Sequence, residues 1–415
     1  MPKPSGRVAS PFRGALRSLR FRDFRLLFIG QVISISGTSM QAMAFSWLVF
    51  TLSGSALNLG FNIFLSALPT LLLSYQGGRL ADRWSSKRVL LVTQTIALSL
   101  ALVLFVVAST ATLTLPMLYS FTFLQGILDA LEVPSRQVIV RQTVPDKSYL
   151  VNALSLTTSL LHISRIAGPA LAAMVLSLWG APICFLINAI SYLFSLFTIA
   201  KIRVAKVLSP GGMSTGFRGL VHRVWKQPFT RAMIQLYVVM GLLGLQYLVI
   251  LPAFVKLHLG LAEGALGTIL AFSAFGSLTA SLLLASFANV RLLSKGIGFA
   301  EVGFGLSLIA FAFAPSFSLA LMISLPLGLF QTFLMSGSSA LLQQLISDER
   351  VRGRVLSLFV FLSMGTAAPG ALLIGLLANG LGPSLALALS GAICIGVGSN
   401  FVISTRNLDA RKVDL

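Results

Sequence analysis

Charge is what this sequence has least of. Only 10% of its 415 residues are Asp, Glu, Lys or Arg, against about 25% in a soluble domain. That scarcity excludes an ordinary water-soluble enzyme, and 56% apolar residues exclude disorder. Cysteine is nearly absent: Cys184 and Cys394 each stand alone in an apolar run, so neither a disulfide framework nor a thiolate metal site is expected. The three histidines, at 162, 222 and 258, are scattered. There is no P-loop and no nucleophile triad. No catalytic residue, metal or cofactor is therefore expected. Too little polar sequence remains for an attached nucleotide-binding domain. No cleavable leader is expected, since the basic N-terminus runs straight into a long apolar segment that reads as a retained span.

Long apolar runs are what the sequence has. Its mean hydropathy is +0.90, and 56% of 415 gives about 232 apolar residues. Twelve spanning helices at about 20 residues each need about 240. Twelve stretches can be marked: 25–51, 57–78, 88–110, 115–138, 149–178, 182–201, 230–256, 263–288, 292–314, 317–342, 353–379 and 383–404. Lipid offers the backbone no hydrogen-bond partner, so each is expected to be helical. Pro69, Pro134, Pro169, Pro252 and Pro326 fall inside them.

The net charge of +20 (31 basic minus 11 acidic residues) would suggest nucleic acid in a soluble protein. Here the cations concentrate in loops of one parity, so no nucleic-acid partner is expected. Lys3, Arg7 and Arg13 lie in the N-terminal arm, Arg79 to Arg88 in the 2–3 loop, Arg203 to Lys226 in the longest loop, and Arg350 to Arg354 in the 10–11 loop. The opposite loops are short and nearly uncharged. By the positive-inside rule both termini are cytoplasmic, which requires an even number of spans. The expected organisation is a cytoplasmic arm (1–24), a six-helix bundle (25–201), a cytoplasmic linker (202–229), a second six-helix bundle (230–404) and a cytoplasmic tail (405–415).

The halves read as repeats at an offset of 202. Gly126 meets Gly328, Gln142 meets Gln344, Asp146 meets Asp348, and Leu154-Ser155-Leu156 meets Leu356-Ser357-Leu358. Duplicated six-helix halves are a common plan for secondary transporters, with the substrate site near the midplane. The halves also differ. Asp129, Glu132, Arg136 and Arg165 become Gln331, Leu334, Ser338 and Ala367, so chemistry that needs charge is expected in the first half.

One stretch resembles a known signature. Gly77-Gly78-Arg79-Leu80-Ala81-Asp82-Arg83, followed by Lys87-Arg88, resembles the 2–3 loop of the major facilitator superfamily, with Ser85 where the pattern has Gly. Gly168-Pro169 resembles the Gly-Pro pair of that superfamily's antiporters, with Ala172-Ala173 in place of the trailing glycines. Leu68-Pro69, Val133-Pro134-Ser135-Arg136-Gln137, Arg165-Ile166-Ala167-Gly168-Pro169 and Arg352-Gly353-Arg354-Val355 are similar to the drug/proton antiporter branch that holds macrolide-efflux proteins and an enterobactin exporter. The resemblance implies a proton-coupled exporter. It also implies a cytoplasmic gate built on Gly78, Asp82, Arg83, Lys87 and Arg88, with Arg136 as a partner for Asp82.

Asp129, Glu132 and Arg136 fall at spacings of three and four, on one face of the fourth helix. Asp129 lies about 21 Å deep at 1.5 Å per residue, where charges mark ion pathways or internal pairs. Either acid could carry the proton, and the residues do not choose between them. Arg165 reaches the same depth on the fifth helix, so a salt bridge to one of them is expected, with His162 one turn earlier as a relay. Glu301 is the other acid within a span. Gln31, Gln41, Trp47, Gln125, Gln235, Gln246 and Gln331 are candidates to line the cavity, with Phe123, Phe254 and Phe330 as apolar surface.

The sequence thus reads as an all-α membrane protein of twelve helices in two pseudo-symmetric bundles. Its expected partners are protons, a small hydrophobic or amphipathic substrate and the lipid bilayer of a bacterial inner membrane. It is expected to be a monomer. An uptake symporter or facilitator of the same fold is the alternative, and a receptor or scaffold would have no need of the charged face.

Overall fold

The computed structural model describes residues 17–83, 85–110, 112–146, 149–203, 228–284, 290–345 and 349–405. Side chains are described there except over 74–83, at most positions between 151 and 173, over 349–358 and at a few neighbouring positions. The described backbone is built of long helices: α1 (Arg22–Ser53), α2 (Ala56–Arg83), α3 (Ser86–Ser109), α4 (Leu115–Thr143), α5 (Leu150–Trp179) and α6 (Ala181–Lys201). α7 is an interrupted rod over 228–257. It comprises Pro228–Val239, a π-helical turn at Met240–Gly244, and Tyr247–Leu257. Then follow α8 (Glu263–Leu284), α9 (Val290–Ala312), α10 (Phe317–Leu345), α11 (Glu349–Leu381) and α12 (Pro383–Thr405).

Several helices run past the apolar stretches, by about a turn in α2, α4 and α11. Polar side chains end the hydrocarbon match but not the backbone hydrogen-bond ladder, so helix and apolar run need not stop together. Nine segments among the described residues are long and apolar enough to cross a membrane. α4 is not one of them, because Asp129 and Glu132 lower its hydropathy. The structure also places Pro369 inside α11, a proline beyond those marked in the sequence.

The two ends of the molecule are built differently. At one end lie the basic loops and the starts of the odd-numbered helices. At the other, Gly54, Gly180, Gly260 and Gly382 all have φ between +65° and +87°. A left-handed glycine lets a helix stop and the chain reverse within a few residues, which keeps this short-loop end compact.

Packing repeats with a shift of six helices. α2 packs on α4 as α8 does on α10, α3 on α6 as α9 on α12, and α1 on α5 as α7 on α11. Glycines explain the close approaches. A Cβ at Gly126 would overlap the Ser66 carbonyl of α2, and one at Gly328 would overlap the Ser273 carbonyl of α8. Thr70 and Ser277 each donate to the glycine carbonyl at that crossing, at 3.3 and 3.1 Å. Gly168 faces Ser36 and Met40 of α1, and Gly370, 202 residues on, faces Gly241 and Leu242 of α7.

The first six helices meet the last six through α2 with α11 and α5 with α8. These contacts are close at the short-loop end. Gly60 lies against the Ala371 carbonyl and Gly375 against Ala56 and Leu57. Ser55 Oγ donates to Asn379 Oδ1 at 3.0 Å, and Lys256 Nζ lies 6.0 Å from the Phe50 ring centre. One apolar core runs through both sets of helices there, including Phe50, Leu59, Phe254 and Ile374.

Candidate functional site

α4 brings the charged face together. Leu115 to Thr143 form a continuous helix despite Pro134, so Asp129, Glu132 and Arg136 project from one side of it. Glu132 is only 4% exposed. Its Oε1 accepts from Gln94 Nε2 of α3 at 2.6 Å and from Arg136 Nε at 2.6 Å, and Arg136 Nη2 also reaches it. Two guanidinium donors on one carboxylate oxygen form a charge-assisted pair. The group opens on a small cavity between α1, α3, α4 and α6, whose walls include Gln31, Gln94, Glu132, Arg136 and Ser195. Gln31 Nε2 and Gln94 Oε1 are buried there without a hydrogen-bond partner among the described residues. The charged face of α4 is therefore directed into the first six helices themselves.

Asp129 is placed differently. It is half-buried, and its Oδ1 accepts from Gln125 Nε2 at 3.1 Å, one turn away. Among the described residues no cation lies within ion-pair distance of it. Glu132 is held by a cation and Asp129 by an amide. The side chains of His162 and Arg165 lie outside the described residues, and with them the expected salt bridge. The side chains of Gly78's neighbours Asp82 and Arg83, and of Pro169, lie outside them too.

The 2–3 loop ends at Ser85, which has φ −65° and caps α3 by accepting the Arg88 N–H on Oγ at 3.3 Å. A serine suits that backbone and that cap; no left-handed glycine is required. Lys87 Nζ donates to the carbonyls of Ala200 and Ile202 at 2.8 and 2.7 Å, so it caps the end of α6. Arg88 is exposed. Arg136, expected as a partner for Asp82, has its guanidinium engaged by Glu132 in its own helix.

The cavity candidates separate into two groups. Gln41 is buried and accepts from Asn188 Nδ2 at 2.7 Å. Trp47 is 8% exposed within the apolar core, and Phe254 is fully buried, stacked on Phe311 and His258. Gln235 is turned toward α12, where it accepts from Asn400 at 3.1 Å. These side chains are occupied by packing. Gln125 and Gln331 are half-buried on α4 and α10, and Gln331 accepts from the Tyr247 hydroxyl at 3.1 Å.

The broken α7 was not foreseen. The π turn at Met240–Gly244 frees the Gly241 carbonyl, and the Gln246 amide fills it at 2.5 Å. π turns inside helices concentrate at functional sites. The paired glycines Gly241 and Gly244, with an amide just beyond, are the signal that was available. Glu301 of α9 is fully buried beside Cys394 of α12, with no cation within ion-pair distance among the described residues; its β-carbon packs under Gly398 of α12.

Comparison with known proteins places these features in context. Residues 13–413 match the family described as transmembrane secretion effector. The staphyloferrin A transporter of Staphylococcus aureus is 26% identical over 397 residues, covering 94% of this chain and 96% of that one. Macrolide efflux protein A of Streptococcus pyogenes is 26% identical over 405 residues, covering 94% and 98%. Among solved structures, a bacterial homologue of the human lysosomal transporter Spinster, inward-facing and occupied, superposes with a TM-score of 0.70 at 12% identity, covering 94% and 97%. An inward-facing bacterial homologue of the iron transporter ferroportin gives 0.69 at 17%, covering 92% and 98%. These superpositions show that the chain shares the fold of those transporters.

Proposed function

Because the chain belongs to the transmembrane secretion effector family of major facilitator transporters, we propose that it is a proton-coupled exporter of small hydrophobic or amphipathic molecules, such as drugs, macrolides or siderophores. In this reading all twelve helices cross a bacterial inner membrane, both termini are cytoplasmic, and the protein works as a monomer. The units 25–201 and 230–404 rock about the midplane, with 202–229 as the linker between them. The names of the efflux and siderophore relatives support export and the substrate class.

One observation carries the coupling: of the two acids on α4, Asp129 is the one whose described partner is neutral, while Glu132 is tied to Arg136. Among the described residues Asp129 can exchange a proton without breaking an ion pair. Glu132, Arg136 and Gln94 hold the face of α4 on which it stands. If Arg165 approaches Asp129, proton uptake would release it, and substrate arrival would compete for the same carboxylate. The close packing of Gly60, Gly375, Ser55 and Asn379 at the short-loop end corresponds to a state sealed on the outside. The loop carrying Gly78, Asp82, Arg83, Lys87 and Arg88 would close the opposite end.

The test uses purified protein in liposomes with an imposed pH gradient, reading proton movement on addition of macrolides, dyes and siderophores. Wild type is expected to move protons with at least one compound, and Asp129→Asn is expected to bind it without coupling. If Glu132→Gln uncouples and Asp129→Asn does not, the proton belongs to Glu132. Gradient-independent transport in both variants would make the protein a facilitator.

A further inference from the structure

The outer side of the first six helices carries a groove away from the charged face of α4. It lies between α3 and α6, has a volume of about 600 Å³ and is lined by apolar side chains, among them Leu91, Ile190, Leu193, Phe194, Phe197 and Ala200. Ile190, Leu193 and Phe197 are more than half exposed, so the groove opens on lipid. From Ile190 to Ala200 it follows α6 for ten residues, about 15 Å at 1.5 Å per residue. That is half of a hydrocarbon core of about 30 Å, the depth of one leaflet.

Its end at the basic loops is cationic. Lys201 follows Ala200 directly, and its Nζ lies 3.9 Å from the centre of the Phe197 ring, which forms part of the groove wall. Arg88 is exposed one turn before Leu91 on α3, on the same face, and Arg203 is exposed just beyond α6. Lys87 is taken up by the Ala200 and Ile202 carbonyls, which fixes the junction of the two helices beneath this cluster. Neither Ser86–Ser109 nor Ala181–Lys201 contains an acidic residue. Nothing on the two helices neutralises the cations.

An open apolar groove as long as one leaflet is thick, with cations at one end, has the shape and charge of a phospholipid site. The geometry points to a bound phospholipid with an anionic headgroup, from the leaflet on the basic side. One acyl chain lies between α3 and α6, and the phosphate lies against Lys201, Arg88 and Arg203. Basic sites between helices at that depth recognise anionic headgroups.

Native mass spectrometry of the delipidated full chain tests this, with phosphatidylglycerol and phosphatidylcholine of identical acyl chains supplied in equal amounts. Phosphatidylglycerol is expected to be retained preferentially. Each of Arg88→Gln and Arg203→Gln is expected to weaken that retention by about fivefold, leaving phosphatidylcholine unchanged. Arg231→Gln, an exposed cation on α7 away from the groove, is expected to change nothing. Ala200→Trp, which fills the slot, is expected to remove phosphatidylglycerol while the protein keeps its melting temperature. Equal retention of the two lipids, unaltered retention in Ala200→Trp, or displacement of the lipid by glycerol 3-phosphate alone would overturn the proposal.

Discussion

Removing Arg136 should cost more than removing Arg136 and Glu132 together. Arg136→Met leaves the Glu132 carboxylate, 4% exposed, with Gln94 as its only described donor. Breaking a buried pair from one side costs about 3–5 kcal/mol. The Arg136 side chain is 23% exposed, which places the loss near the lower figure, at about 3 kcal/mol. Glu132→Leu leaves a guanidinium that can still reach water, for about 1 kcal/mol. In the double variant neither charge of the pair remains, and the main cost is the orphaned Gln94 amide, about 1 kcal/mol. The interaction energy from the cycle is then about 3 kcal/mol. α10 provides the precedent, since it buries Leu334 and Ser338 at the matching positions. In thermal unfolding at fixed scan rate, a unit of this size shifts by about 2–4 °C per kcal/mol. Arg136→Met should therefore fall by about 6–12 °C and the double variant by only about 2–4 °C. Strict additivity, or a double variant as unstable as Arg136→Met, would refute the assignment of Glu132 and Arg136 as one buried pair.

Three further outcomes follow from packing and hydrogen bonding. Gly126→Ala and Gly328→Ala should each destabilise by well over about 1 kcal/mol, because the new Cβ overlaps a backbone carbonyl, whereas Gly396→Ala meets nothing within 4 Å and should unfold like wild type. Gln246→Leu should lower the melting temperature by the loss of about 1–2 kcal/mol, since it strips the amide from the Gly241 carbonyl; an unchanged melting curve would show that the π turn satisfies itself. Ser55→Cys with Asn379→Cys should cross-link on oxidation and stop transport reversibly with reductant, read as substrate flux in liposomes; flux that survives a complete cross-link would contradict a moving seal at that end.

The helices were legible because lipid removes alternatives. A chain with 56% apolar residues and no water for its backbone must pair its amides locally, so hydropathy alone locates the rods. The ends were less legible. α2 continues to Arg83 and α11 begins at Glu349, where hydropathy has already turned polar and only the backbone ladder continues. The repeat at offset 202 was visible in a few identities. Its physical content, glycines at matching helix crossings, depends on which carbonyl lies opposite, and no spacing within one helix reveals that. Lys87 shows the same limit. In the sequence it belongs to a loop signature, but its ammonium is committed to the end of a helix more than a hundred residues away.

The site follows a related rule. Local spacing disclosed that Asp129, Glu132 and Arg136 share a face, because that is a property of one helix. The Gln125 and Arg136 partners are one turn away and belong to the same local spacing, but Gln94 of α3, the further donor on Glu132, is brought there only by the packed structure. The two sets of helices have the same packing but carry different irregularities: buried charge in α4, and a π turn in α7. Across the short-loop end they touch through backbone and small side chains at Gly60, Gly375, Ser55 and Asn379, with no ion pair among the described residues there. The cation at that end, Lys256, meets an aromatic ring and not a carboxylate, so the contact can separate without parting an ion pair. In the proposed cycle a proton taken up at α4 therefore need not break a salt bridge at that seal; it has only to change the balance within the first six helices, and the seal can open along a surface of backbone, small side chains and one cation over a ring.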